Sequence, residues 1–185
     1  MATATHGSAI AFPSESFDAK ASLLTVQEYS CTALYGVPTM FIAELDLLAS
    51  EAVSRTGLSQ LRTGIAAGSS IPAELMRRLH NELNLTQLTI CYGMTETSPV
   101  SCMTTTDDPL VKRVETVGRA LPHVSVKVVD PHERTRVLDV GERGELAVAG
   151  YPLMKGYWGD EEKTREVLVN DERGELWMHV SVTNE

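Results

Sequence analysis

The sequence predicts an α/β protein in which a parallel βαβ portion is followed by an antiparallel, barrel-like portion. Three observations carry that prediction. Between residues 31 and 93, short apolar runs alternate with stretches of helical periodicity, strand, helix, strand, helix, strand. The connections are long enough to return each strand parallel to the last, which a hairpin cannot do. After Pro99 the pattern changes to short alternating strands separated by Gly- and Pro-containing turns.

Residues 1–16 are rich in Ala, Ser and Thr and show no periodicity, so they are expected to be irregular. Asp18 opens a helix carrying Leu23, Leu24 and Val26, and CTALYG at 31–36 reads as a short buried strand. Thr39 is the expected N-cap of a helix over 39–51, with Phe41, Ile42, Leu45, Leu48 and Ala49 on one face. A strand at 61–66 ends in a Gly-rich turn. Pro72 stands near the start of a helix over 72–84, whose buried stripe is Leu75, Met76, Leu79 and Leu83. A third strand follows at 87–91. Beyond it, VSVKVVD and ELAVAG read as antiparallel strands within 124–149, DEEKTREVL at 160–168 as a short helix, and ELWMHV as a last strand. This divides the chain into 1–16, an α/β portion over 17–100 and a β-rich portion over 101–185.

The 185 residues are 43% hydrophobic and 22% charged, as in an ordinary globular protein. Sixteen Lys and Arg stand against twenty-five Asp and Glu, a net charge of −9 with no basic block, which argues against nucleic acid as a partner. No apolar run reaches the roughly 20 residues of a membrane span, and no secretory leader is legible, so a cytoplasmic location is expected. Cys31, Cys91 and Cys102 lack metal-ligand spacing and read as free thiols, and the five scattered histidines are given no catalytic role.

Ligands of open parallel sheets bind beyond the carboxyl ends of the strands. The loops there are 36–39, 67–71 and 92–98. AGSSI and YGMTETS offer small residues, hydroxyls, one flat aromatic and one carboxylate, a set suited to a nucleotide. Tyr92 can stack on a purine, Thr95 and Thr97 can donate to phosphate, and Glu96 can ligate Mg²⁺. Taken singly, each has an ordinary alternative: a core aromatic, caps, a solvated acid, turn glycines at Gly68 and Gly93. No Gly-x-Ser-x-Gly elbow and no P-loop is present.

The same residues resemble the adenylate-forming superfamily, and within it the fatty-acyl-CoA synthetases that activate medium- or longer-chain acids. YGMTETSPV at 92–100 is similar to the Tyr-Gly-x-Thr-Glu signature, and YGVPTMF at 35–41, LRTGIAAGSSIP at 61–72, VETVGRALPHVSVKVVD at 114–130 and GELAVAGYPLMKGYW at 144–158 follow in the family's order. The resemblance implies part of the large N-terminal domain of such an enzyme, and ATP or AMP, Mg²⁺, CoA and a fatty acid as its ligands. It implies that Ala67, Gly68 and Ser69 contact adenine by backbone, Tyr92 stacks on it, Thr95 binds phosphate and Glu96 ligates Mg²⁺, with Gly93 and Met94 bordering the acyl pocket and Val37 and Pro38 nearby. Lys155, Gly156, Tyr157 and Trp158 resemble a late motif, read here as a turn packing on Trp158.

The resemblance also implies a phosphate loop before the matched region, a Thr-Gly-Asp after His179, where this chain has Val180 and Ser181, and a lysine-bearing C-terminal domain. The expectation is therefore a truncated synthetase, inactive in isolation. A nucleotide-binding protein without turnover, a partner of a full-length synthetase, and an inert gene remnant are the alternatives. Full-length relatives work in cytosol, mitochondria or peroxisomes.

Overall fold

The computed structural model describes residues 2–180. They fall into two compact units. The first is built from the residues up to Ile90 with Thr104–Thr116, the second from Cys91–Met103 with the residues from Val117 onward. The positions after Val180, where the resemblance expects Thr-Gly-Asp, lie outside the described residues.

In the first unit the chain forms α1 (Ala2–Thr5), α2 (Ala19–Tyr29), α3 (Pro38–Ala49), β1 (Thr63–Ala66), α4 (Ala73–Leu83) and the start of β2 (Gln87–Tyr92). The single turn of α1 lies in a stretch expected to be irregular. Asp18 caps α2 as expected, its Oδ1 accepting from the Ala21 N–H at 2.8 Å. α3 starts instead at Pro38, whose missing N–H is harmless at a first helical position. Thr39 therefore lies inside the helix and is not its cap; Val37 occupies that place without a side-chain bond. Of the predicted α3 face, Phe41, Leu45 and Leu48 are buried, whereas Ile42 and Ala49 are exposed. Leu24 of α2 is likewise exposed. The α4 stripe Leu75, Met76, Leu79 and Leu83 is buried throughout.

β1 and β2 run parallel, from Thr63 beside Gln87 to Ala66 beside Ile90. The expected strand at 31–36 is reduced to two parallel bridges, Ala33 to Thr63 and Gly36 to Ala66. Backbone bonds from Leu34 N–H to Thr63 O (3.1 Å) and Gly36 N–H to Ile65 O (3.2 Å) keep its direction. Gly64 lies so close beneath the Leu34 carbonyl that any Cβ would collide with it, and the regular ladder breaks there. The core joins Leu23, Phe41, Leu45, Leu61, Leu79, Leu83 and Leu88. Two features had no periodic signal. Helix α5 (Leu110–Glu115) is only six residues long. Its Arg113 is buried and donates to the carbonyls of Thr86 (3.1 Å) and Leu88 (2.8 Å), satisfying backbone that β1 leaves unpaired. Within α3, Glu44 is 1% exposed and its Oε2 has no hydrogen-bond partner.

In the second unit the last residues of β2 pair antiparallel with β3 (Cys102–Met103), and β3 with β4 (Arg119–Ala120). Then follow β5 (Val124–Val129), β6 (Glu145–Gly150), α6 (Glu161–Val167), β7 (Leu168–Asn170) and β8 (Leu176–Val180). The last four strands form an antiparallel sheet in the order β5-β6-β8-β7. Among the described residues this sheet is open; it does not close into a barrel, because β5 and β7 stand at opposite edges. β7, only three residues long, begins at Leu168, the last residue of the predicted helix, and was not expected from the sequence. Asp160 caps α6, accepting from the Lys163 N–H at 2.9 Å, and the acids Glu161 and Glu162 sit at its positive end. Val129, Ala147, Val148 and Met178 are buried in the sheet's core. The three cysteines are free, with Cys102 buried and the others half-buried. Among the described residues, no helix is long and apolar enough to cross a membrane.

Candidate functional site

The loop after β1 belongs to the first unit. Ala67 is half-buried and its N–H donates to the Gly36 carbonyl at 3.3 Å, which leaves its own carbonyl as the group to offer a ligand. Gly68 and Ser69 are exposed. Gly68 has φ +90°, a conformation that favours glycine, and a Cβ there would stand 3.1 Å from Val37 Cγ1. Ile71, buried, anchors the loop's far end before α4. Val37 is exposed and Pro38 buried.

The loop after β2 belongs to the second unit. Tyr92 is half-buried, its carbonyl accepts from the Ser101 N–H at 2.8 Å, and burial pushes its phenol above the ordinary value. At Gly93 any Cβ would run into the carbonyl of Pro99, so the chain reversal that ends the strand requires glycine. Met94 is extended, and Thr95–Thr97 forms one 3₁₀ turn. Thr97 closes it from inside. Its Oγ1 accepts from the Met94 N–H and donates to the Met94 carbonyl, both at 3.1 Å, and the side chain is fully buried. Thr97, expected as a candidate donor to phosphate, instead uses its hydroxyl to lock the turn. Thr95 is exposed and Glu96 half-buried.

Glu96 is tied down twice. Its carbonyl accepts from the Met154 N–H at 2.8 Å, and its Oε1 accepts from the Tyr157 hydroxyl at 2.8 Å. The Glu96 carboxylate, accepting that proton, is also what raises the Tyr157 phenol above its ordinary value, since ionising it would break the bond and set two negative charges together. Sequence reasoning missed Tyr157. It assigned KGYW to a turn packing on Trp158, but Trp158 is 102% exposed and the neighbouring tyrosine is the engaged aromatic. The motif itself was visible, whereas which of its two aromatic rings turns inward is not written in a one-dimensional pattern.

Among the described residues, no group of three or more His, Cys, Asp and Glu could hold a metal by itself. A single carboxylate on a small turn suits Mg²⁺, which keeps several waters and completes its shell with substrate phosphates. Glu96, with one oxygen engaged by a neutral hydroxyl, fits that role.

Residues 1–158 match the AMP-binding enzyme family. The chain belongs to that family. It is similar to the acyl-CoA ligase SID4 of Ajellomyces capsulatus, 47% identical over 96% of this chain and 30% of the relative. The acyl-CoA synthetase YngI of Bacillus subtilis, described as putative, is 44% identical over 92% of this chain and 30% of its own length. The mitochondrial medium-chain acyl-CoA ligase ACSF2 of Danio rerio is 40% identical over 91% and 27%. The chain thus spans about 30% of the length of the curated relatives it matches. Among solved structures, a long-chain-fatty-acid-CoA ligase from Archaeoglobus fulgidus shares the fold at a TM-score of 0.79 and 23% identity, over 89% of this chain and 33% of that one. MatB from Rhodopseudomonas palustris does so at 0.67 and 29% identity, over 86% and 32%.

Proposed function

We propose that these residues are part of an AMP-forming acyl-CoA ligase that activates a fatty acid: carboxylate and ATP give acyl-adenylate and pyrophosphate, and CoA then gives acyl-CoA and AMP. The observation that carries this is the turn at 94–97, which Thr97 closes from within while Thr95 stands exposed and the Glu96 carboxylate is fixed at one oxygen. A turn built this way holds a phosphate-binding hydroxyl and a cation-binding carboxylate side by side without depending on either ligand to order it.

Each residue then has a role. The backbone of Ala67, Gly68 and Ser69 contacts the adenine, and Tyr92 stacks on it. Thr95 donates to phosphate and Glu96 holds Mg²⁺, which supplies positive charge to the phosphates. Gly93 and Met94 border the acyl chain. In this reading 17–100 is the adenylate-binding portion, and the β-rich portion follows from 101.

Whatever else a full-length protein contains, a polypeptide of these 185 residues is proposed to bind nucleotide without turning it over. Bringing a carboxylate onto a triphosphate needs fixed positive charge around the transition state. The loops at 67–69 and 92–97 contain no lysine or arginine, and the chain carries a net charge of −9.

The binding claim is tested by calorimetric titration of AMP and ATP. Tyr92→Ala is expected to weaken binding by roughly 0.5–1.5 kcal/mol beyond the lost contact area, and Glu96→Ala to weaken ATP binding only when Mg²⁺ is present. Equal affinity of the parent and Tyr92→Ala would remove the adenine shelf from the proposal.

A further inference from the structure

A glutamate has three side-chain torsions to fix, and Glu96 is half-buried on the short turn at 95–97. Here it is held from both ends, at its carbonyl by the Met154 N–H and at Oε1 by the Tyr157 hydroxyl, each at 2.8 Å. Tyr157 is itself anchored. Its N–H donates to Thr164 Oγ1 at 2.9 Å, and that hydroxyl donates to the Asp160 carbonyl at 2.7 Å, within the first turn of α6. Gly156, just before it, has φ +151°, and a Cβ there would press to 3.0 Å on Thr164 Cγ2, so the close approach of this segment to α6 depends on glycine. The ring is covered by the Lys163 ammonium, 5.3 Å from its centroid.

The chemistry of the donor matters. A lysine or arginine at the same place would neutralise Glu96 and compete with a cation for it. A phenol takes one lone pair, leaves the carboxylate its full charge, and leaves Oε2 to another ligand. Ligating carboxylates are commonly oriented by hydrogen bonds of this kind. We propose that Tyr157 is a positioning residue for Glu96, its hydroxyl holding Oε1 so that Oε2 serves the divalent cation that accompanies a nucleotide's phosphates. This rests on the function proposed above and adds to it a residue 61 positions away in sequence.

The test uses Mn²⁺ as the probe, its binding to the full 185-residue chain followed by electron paramagnetic resonance in the presence of ATP. Four proteins are compared: the parent, Tyr157→Phe, Glu96→Gln and the double variant, with thermal melting of each recorded alongside. Tyr157→Phe is expected to weaken Mn²⁺ binding about 10- to 100-fold, with little change in melting temperature, and to have no further effect in the Glu96→Gln background. Thr164→Val, which removes the anchor of the Tyr157 backbone and leaves the phenol, is expected to act in the same direction more weakly, and it replaces Tyr157→Phe if that variant does not fold. Unchanged Mn²⁺ affinity on removing the hydroxyl overturns the proposal, as does an equal loss with and without the Glu96 carboxylate, which is the signature of a structural role. A parent chain that binds neither ATP nor Mn²⁺ with ATP overturns the proposed function, and the positioning role with it.

Discussion

Replacing Glu44 by Gln is predicted to stabilise the first unit at neutral and alkaline pH and to remove most of the pH dependence of that stability. Glu44 points into the core from α3, 1% exposed, with Oε2 unpartnered. Burial without a compensating partner disfavours the charged form and pushes the carboxyl from 4.5 up to about 8. The folded state therefore keeps a proton that the unfolded state releases. Stability is greatest below about pH 4.5, falls as pH rises because the unfolded chain alone is ionised, and levels off above about pH 8. At about 1.4 kcal/mol per pH unit, the total loss from this one group is about 5 kcal/mol, of the same order as the whole stability of many small domains. Gln keeps the shape and cannot ionise. The assay is urea denaturation of the parent and Glu44→Gln between pH 5 and 9, taking the difference between the two so that every other titrating group cancels. The difference should widen steadily in favour of Gln up to about pH 8 and then stay constant. Parallel stability curves would refute the reasoning, since they would mean that Glu44 ionises with equal ease in both states.

Two further predictions concern the second unit and the whole chain. His179 is buried beside Glu145, and burial, together with the Arg134 and Lys127 charges, holds it below its ordinary value despite the attraction of the Glu145 carboxylate, 3.3 Å away. The stability that neutral His179 carries is complete above about pH 6.5 and is lost as pH falls below it; near-ultraviolet dichroism of Trp177 should report an acid transition that His179→Gln makes shallower, and identical acid profiles would count against it. The 185-residue chain should release no pyrophosphate and form no acyl-CoA from ATP, CoA and straight-chain fatty acids, because loss of even one preorganised charge commonly lowers such rates about a hundred- to a thousandfold; fatty-acid-dependent turnover above a Glu96→Ala control would refute this.

Much of the architecture was legible because it rests on local rules. The α4 stripe Leu75, Met76, Leu79 and Leu83 is a periodic pattern, and such patterns survive into any fold that buries one helix face. Asp18 and Asp160 announce helix starts through a bond to a backbone N–H three residues away. YGMTETSPV stood out as a candidate site by its residue types and its resemblance to a family signature, and its turn is held by bonds internal to the segment, above all Thr97 with Met94. The α/β class, parallel first and antiparallel later, follows from spacing alone.

What the tertiary structure decided are matters of partnership between distant residues. Thr97 and Thr95 are alike in sequence, and only packing turns one inward as a lock and leaves the other exposed. Tyr157 and Trp158 are adjacent aromatics, and only the approach of the 94–97 turn makes the first the partner of Glu96 while the second stands in solvent. The segment at 31–36 has the composition of a strand, yet its ladder breaks where Gly64 crowds the Leu34 carbonyl. Glu44 stands beside Leu45 and is carried into the core with it, because the burial of Phe41, Leu45 and Leu48 sets the rotation of the helix and the carboxyl meets the penalty by keeping its proton. Periodicity records which face of an element is buried; the particular atom that meets each buried or half-buried polar group depends on chain brought from elsewhere in the sequence, and no local pattern encodes it.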